Sequence, residues 1–446
     1  MEYVMSMSIE SEILERIKPT PAEIEAIDGT AGKLLALVQE YISEHGIDAR
    51  ARFVGSYAKG TFLSDPDLDL FVIFPENMPR EDLVKQGLEI GDAILHGTKM
   101  FAEHPYTRGV FEGLDVDLVP SFDIQSTDKL KSAVDRTPFH TDYILARIDD
   151  SLKDDIRLLK KFMKGIGTYG AEPNTRGFSG YMCELLVLHY GGFRKVLEAS
   201  AEWKEGTTIT IEKKGPPIIG PLILYDPVDH RRNVASAVHM DTLALFMVAA
   251  RAYLSSPSKK FFFPEDRKPL SREELEKKAK KNGARIITVV FRRPDVIEDN
   301  LYSQLWKTRY ALMRKLNDFD YNVLRSVHDM YDKTLEIAFE LERDVLSETY
   351  RHIGPPVWVK AADSFLTKWK NNEYGDPFVE DGCWNVIAER MYFSAKEMLE
   401  DEAAISGIGR EIDPGTMKVR DHESSLNETD PLLLTELMDP KQSWEI

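Results

Sequence analysis

Cysteine is nearly absent. Cys183 and Cys383 are the only two in 446 residues, too few and too far apart for a disulfide framework or a zinc knuckle, which is the usage expected in a reducing cytoplasm; neither is assigned a role. Long apolar runs are missing as well. The greasiest window, DTLALFMVAARAYL, is short and interrupted by Arg251, so no membrane span is expected, and the opening MEYVMSMSIESEILER has neither the charged start nor the apolar stretch of a signal peptide. Net positive charge is lacking too. A formal charge of −18 argues against a nucleic-acid partner, because Lys and Arg carry most polyphosphate binding. The average conceals residues 259–315, where sixteen Lys and Arg stand against eight Asp and Glu, a local +8. That stretch is expected to face phosphates while the remainder keeps the molecule soluble. At this length one core does not suffice, and two to four domains are expected.

The patterning divides the chain. Residues 21–45 read as a helix, with Leu34, Leu35, Val38 and Ile42 at helical spacing and Gly46 as its stop. ARFV turns extended, residues 66–74 form a strand, EDLVKQGLEIGDAIL is helical, and FAEHPYTRGVFEG and LDVDLVPSF are strands again. This mixed domain ends near residue 146. A mainly helical region follows in DDIRLLKKFMKGIG, GYMCELLVLHYGGF and MDTLALFMVAARAYL, and SSPSKKFFFPEDRKPL reads as a linker or irregular crossing with its aromatics in the core. Ser271 and Glu274 form a capping box, Gly283 ends that helix, RIITVVF is a strand and LYSQLWKTRYALMRKL a helix. TLEIAFELE alternates apolar with mostly acidic residues, the pattern of a half-exposed strand. RHIGPPVWVKAADSFLTKWKNNEYGDPF turns helical and punctuated, CWNVIAERMYF is a strand, and the last thirty residues are polar and expected to be partly loose.

The chemistry concentrates in VGSYAKGTFLSDPDLDLFVIFP. Ten residues after Gly55-Ser56, Asp67 and Asp69 flank a leucine; side chains two apart on a strand share a face, so the carboxylates point together while Leu68 and Leu70 enter the core. Two like charges so close are tolerable at a surface or around a cation. Mg²⁺ suits, because it takes oxygen ligands at about 2.0 to 2.1 Å, keeps several waters and favours substrate phosphates. LDVDLVP repeats the pattern with Asp115 and Asp117. Three carboxylates from two neighbouring strands would hold two ions about 3.5 to 4 Å apart, one for an attacking hydroxyl and one for a leaving pyrophosphate. An ordinary amphipathic edge strand explains Asp-Leu-Asp-Leu taken alone better; Gly-Ser upstream shifts the balance. Glycine lets backbone approach a ligand, and the serine hydroxyl and adjacent N–H groups suit triphosphate oxygens, with Lys59 as counter-charge.

In this combination the chain resembles the polymerase-beta-like nucleotidyltransferases and, more narrowly, the class I, archaeal-type CCA-adding enzymes. The residues that carry the resemblance are VGSYAKGTF, DLDLFVIFP, AEHPY, DVDLVP, KSAVDRTPFH, RLLKKFMK, YGAE, RGFSGYMCELL, DPVDHRRNVA, FRRPD and DNLY, in one order through nearly the whole chain. The resemblance implies an α+β multidomain fold: a mixed-sheet nucleotidyltransferase head (residues 1–146), a helical neck that recognises the base (147–265), an α/β body (266–345 and 382–446) and a small tail (346–381), body and tail gripping the acceptor and T arms of tRNA.

It further implies template-independent addition of C, C and A to tRNA from CTP and ATP with two Mg²⁺ ions. Asp67, Asp69 and Asp117 match the metal-binding carboxylates, Asp117 also suiting proton removal from the primer hydroxyl, with Asp115 as the alternative for the third place. Gly55, Ser56, Lys59, His140, Lys160 and Tyr169 match the triphosphate-holding positions. Lys59 stands where some relatives have arginine, giving a point charge instead of a fork. Arg232 matches the arginine that reads the base edge, Arg231 being a neighbour the sequence does not separate. Outside the resemblance, His140 and Tyr169 fit packing roles, Lys160 a solvated helix face, and Arg232 a pair with Asp226 or Asp229. The oligomeric state stays open, a homodimer included. A poly(A)-type terminal transferase and a catalytically idle RNA-binding scaffold are the competing readings.

Overall fold

The structure, a computed structural model, describes residues 8–64, 66–100 and 104–446. The start of FAEHPYTRGVFEG and two residues of AEHPY lie outside the described residues, as do the first seven residues and Asp65. Among the described residues no helix is long and apolar enough to cross a membrane. Two compact units emerge, Met1–Glu265 with Gln442–Ile446, and Asp266–Lys441.

The first unit begins with α1 (Ile9–Ile17) and α2 (Pro21–Glu44). Thr20 and Glu23 close a capping box at the start of α2, and Pro21 fills its first turn, where a missing N–H costs nothing. Next come β1 (Arg50–Val54), the short α3 (Gly55–Lys59), β2 (Leu68–Pro75), α4 (Arg80–Leu95), β3 (Thr98–Met100), β4 (Tyr106–Phe111), β5 (Leu114–Asp123) and α5 (Thr137–Leu145). The strands form one mixed sheet in the order β1-β2-β5-β4-β3, in which β2 and β5 run parallel and the other pairs antiparallel. Alternation along β2 sends Leu68, Leu70, Val72 and Phe74 into a core with Leu34 and Val38 of α2 and Leu83 and Ile90 of α4. The opposite face carries Asp69, Phe71 and Ile73, of which the last two join a much smaller apolar cluster. One face is thus left open at its carboxylate end.

Helices α6 (Asp150–Gly165), α7 (Gly180–Tyr190), α8 (Phe193–Ala201) and α9 (Met240–Ser255) build a separate core around Phe162, Phe193, Phe246, Tyr253, Phe261 and Phe262. Ile13 and Ile17 of α1 pack into it, although residue 13 lies on the head side of the boundary expected at 146. The helical expectation omits α8 and a parallel pair, β6 (Thr207–Thr210) and β7 (Leu222–Tyr225).

The second unit holds α10 (Arg272–Asn282), β8 (Arg285–Arg292), α11 (Glu298–Asp318), β9 (Val323–Met330), β10 (Thr334–Leu341), β11 (Thr349–Pro356), α12 (Ala361–Trp369), β12 (Phe378–Glu380), β13 (Cys383–Glu389), α13 (Ala395–Glu402), β14 (Lys418–Arg420), α14 (His422–Glu428) and α15 (Pro431–Met438). Its larger sheet runs β14-β8-β10-β9. Three expectations change here. Strand β10 is buried along nearly its whole length, not half-exposed, because its acids meet partners: Arg325 bonds Glu340 at 2.5 Å and Arg420 bonds Glu336 at 3.1 Å. The punctuated segment after residue 350 opens as a strand, and β13, beyond the expected limit at 381, is the middle strand of the small sheet β11-β13-β12. The last thirty residues are ordered: Leu433, Leu434, Leu437 and Met438 of α15 are buried, Trp444 stacks on Phe261 with centroids 5.1 Å apart, and Ser443 donates to the Gly165 carbonyl. In the basic segment, the Ser271–Glu274 capping box and the Gly283 stop are present, while Lys278 is engaged with Asp439 at 2.7 Å.

Candidate active site

Strand β1 ends at Val54, and the chain turns at Gly55, whose φ of +70° is costly for any residue with a side chain. A Cβ at this position would fall 1.9 Å from Oδ2 of Asp69, so the turn sits directly against that carboxylate. Ser56 lies in the short helix and Gly60 caps it in the left-handed region. Strand β2 starts at Leu68, leaving Asp67 in the loop that leads in after Pro66, which has no N–H for the ladder.

Across the parallel pair Asp69 stands in register with Asp117, and on the other side of β5 Asp117 is opposite Arg108 of β4. Asp69 and Asp117 are half-buried, Asp67 and Asp115 exposed. Burial, then the neighbouring Asp117, push the Asp69 carboxyl up to about 7, against the pull of Lys59. Burial, Asp115 and Asp117 raise Asp67 as well. Arg108 grips Asp117 with both arms, Nε to Oδ1 at 2.8 Å and a terminal nitrogen to Oδ2 at 2.7 Å.

Behind α3 lies a buried ionic cluster that sequence reasoning does not find. Glu184 on α7, fully buried, accepts from Lys59 Nζ at 2.5 Å, from Lys160 Nζ at 3.1 Å and from the Thr61 hydroxyl at 2.6 Å. Burial alone would raise the carboxyl, but Lys59 and Lys160 pull it down to about 2; burial lowers Lys59. Lys160 also donates to the Thr61 carbonyl and hydroxyl at 3.2 and 3.1 Å, so its three N–H groups are all engaged and it reaches a phosphate only by giving one up. Tyr169 borders the same cluster: a Cβ on Gly180 would lie 2.9 Å from the Tyr169 hydroxyl and 3.7 Å from Lys160 Cε.

A second hub joins the remaining positions. Asp226 is fully buried and accepts from His140 Nε2 at 2.9 Å, Arg232 at 3.0 Å, Tyr181 at 3.2 Å and the Val228 amide at 3.1 Å. Although burial opposes its charge, the His140 bond and the other donors hold the carboxyl below the usual range. Burial lowers His140 against the pull of Asp226, and the ring stacks on Tyr181 with centroids 3.9 Å apart; Lys59 lies 5.9 Å from the Tyr181 ring. The pairing of Arg232 with Asp226 weighed from sequence is therefore present, and it sits within the cluster. Arg231 faces Asp229 at 3.2 Å and Asp128 at 3.3 Å instead.

Gly55, Lys59, Asp69 and Asp117 thus connect through Glu184 and Tyr181 to Lys160, Tyr169, His140 and Arg232, all within the first unit. The donor set at the sheet edge consists of carboxylates, with like charges raising Asp67 and Asp69, and fits a hard divalent cation. Among the described residues no three acid, His or Cys side chains stand close enough to form a ready cage.

Family models match in three consecutive stretches: a nucleotidyltransferase domain over residues 35–140, the second domain of tRNA nucleotidyltransferase over 154–263, and the C-terminal domain of CCA-adding enzyme over 282–418. The CCA-adding enzyme of Methanosarcina acetivorans is 37% identical over 410 residues, 90% of each chain. That of Methanosarcina barkeri is 38% identical over the same share, and that of Halobacterium salinarum 40% identical over 82% of each chain. The chain belongs to the CCA-adding enzymes. For a member of this family Glu184 and Arg108 are the residues sequence reasoning does not find, and Asp226 is seen only as a partner for Arg232. Glu184 hides in the apolar run MCELLVL, where it reads as core, and Arg108 becomes visible only once β4 and β5 are in register.

Proposed function

We propose that Asp67, Asp69 and Asp117 carry the chemistry by which this enzyme adds C, C and A to tRNA without a template, using CTP and ATP. The observation that supports it most is the register of Asp69 with Asp117 beside a glycine turn too tight for a side chain. In each round the tRNA 3′-hydroxyl attacks the α-phosphorus, a new P–O bond forms as the bond to the β-phosphate breaks, and pyrophosphate leaves. Asp117 takes the hydroxyl proton. The amides and hydroxyl at Gly55-Ser56 hold phosphate oxygens, and Lys59 supplies positive charge from the far side of the turn. Lys160 and Tyr169 support it. His140 and Arg232, fixed by Asp226, face the nucleotide, and the Arg232 guanidinium offers donors to acceptors of both bases. Two Mg²⁺ ions on the three carboxylates would neutralise the charge that builds up on the phosphate and make the attacking hydroxyl more acidic.

In this reading residues 1–146 act as catalytic head and 147–265 as neck, with body (266–345 and 382–446) and tail (346–381, its sheet continuing through β13) holding the acceptor and T arms. Lys277 and Lys280, exposed on α10, face the RNA backbone; reversing both charges weakens tRNA binding and flattens its salt dependence while nucleotide binding stays unchanged. A homodimer would cover the exposed apolar side chains of the small sheet, Ile353 and Val379 among them, and sedimentation decides it. The central test is incubation with tRNA ending before CCA and labelled CTP. Incorporation of C supports the reading, and its failure alongside adenylate addition favours a poly(A)-type transferase.

A further inference from the structure

We infer that Arg108 is a positioning residue that holds Asp117 until the nucleotide arrives, so that this carboxylate is released to a divalent ion only in the loaded site. The inference rests on the reading of Asp117 as an ion-binding carboxylate.

Three observations carry it. Arg108 sits on β4 directly opposite Asp117 on β5, and both carboxylate oxygens are taken, at 2.8 and 2.7 Å. A guanidinium fork matched to a carboxylate in this way is among the stronger polar contacts a protein makes, so an ion that needs an Asp117 oxygen must first displace an arm. Second, the surroundings otherwise repel: Asp69 of β2 stands in register with Asp117, and Arg108, from the other side of β5, is the cation set against these facing acids. Its guanidinium supplies the positive charge that faces the Asp117 carboxylate. Third, the two partners differ in freedom. The Arg108 side chain is 56% exposed and Asp117 20%, so the arginine is the partner able to swing away.

An incoming triphosphate supplies what the exchange needs. It brings ion-coordinating oxygens, and its negative charge gives the departing guanidinium somewhere to turn. Ion and nucleotide then bind cooperatively, and by linkage each strengthens the other by the same factor. A bare enzyme holds ions weakly.

The test uses Mn²⁺ as the probe, with free ion counted by electron paramagnetic resonance on the full chain, with and without CTP and without tRNA. Without nucleotide, Arg108→Met binds Mn²⁺ about tenfold more tightly than the parent, and CTP then adds correspondingly less. Arg108→Lys, which keeps the charge and loses the fork, gains about threefold and carries the test should the methionine variant fail to fold. Removing any positive charge near acids favours a cation, so the deciding comparison is made in an Asp117→Asn background. There the gain disappears. Unchanged affinity in both Arg108 variants overturns the inference. So does a gain that persists in full in the Asp117→Asn background, where the arginine has no carboxylate to release. Should Asp117→Asn leave the CTP-loaded Mn²⁺ affinity untouched, the reading of Asp117 as a ligand fails and the inference falls with it; weakened binding there with no response to Arg108 removes the inference alone.

Discussion

Strands β2 and β10 each set acid among large apolar residues, Asp69 in the one and Glu336 and Glu340 in the other, and they come to opposite ends. In β10, Glu340 is directly opposite Arg325 of β9 and is fully buried in an ion pair. In β2, Asp69 is directly opposite another acid, Asp117 of β5, and its carboxyl is pushed up to about 7 by burial and that neighbour. Opposite charges across a ladder stabilise a sheet and like charges strain it. The residue on the next strand therefore decides whether a buried acid is neutralised, as Glu340 is, or raised, as Asp69 is.

The comparison is broken most severely at its chemical end. Asp117→Asn lowers CTP incorporation into tRNA lacking CCA by on the order of a thousandfold while urea unfolding shows no loss of stability; a variant as fast as the parent would make the facing acids ornamental. Arg325→Asp copies the β2–β5 arrangement into β9–β10, and the buried Glu340 then has no counter-charge. It costs about 3 kcal/mol in urea unfolding, with kcat on the protein that remains folded within about twofold of the parent.

A smaller effect tests the strain itself. A carboxyl raised in the folded state binds its proton more tightly there than in the unfolded chain, so stability falls as pH rises from the unfolded value near 4 through about 7. Asp69→Asn removes that penalty, and the melting temperature of the ion-free protein rises more at pH 8 than at pH 5. An equal rise at both values would show that Asp69 is not strained. Smallest of all, Asp115→Asn, on the exposed end of β5, changes stability by less than about 0.5 kcal/mol and incorporation by less than about twofold, which separates it from Asp117 as the third carboxylate.

Local pattern makes the five-stranded sheet readable. Alternation in LDLFVIF and LDVDLV puts Leu68, Leu70, Val116 and Leu118 inside, and period two requires nothing distant to be known. The capping box at Ser271 and the stop at Gly283 are readable for the same reason. Long-range partners are not. Strand β10 reads as half-exposed because its acids are neutralised by Arg325 and Arg420, the latter about eighty positions away, and the terminal helix reads as loose because its leucines find their neighbours on α10 and β8. The site divides along the same line. The carboxylates and the glycine turn lie in two short motifs, whereas Glu184 and Asp226 act as hubs for side chains gathered from several separate stretches, a role that neither shows in its own local sequence.

Trp444 on Phe261, and Ser443 on the Gly165 carbonyl, give the last residues a place in the first compact unit. During synthesis the helical core that backs the nucleotide pocket therefore waits, with one side of its aromatic cluster uncovered, while the whole second unit is translated. Only when residues 442–446 have left the ribosome is that side closed, so the first compact unit is completed after the second has been made.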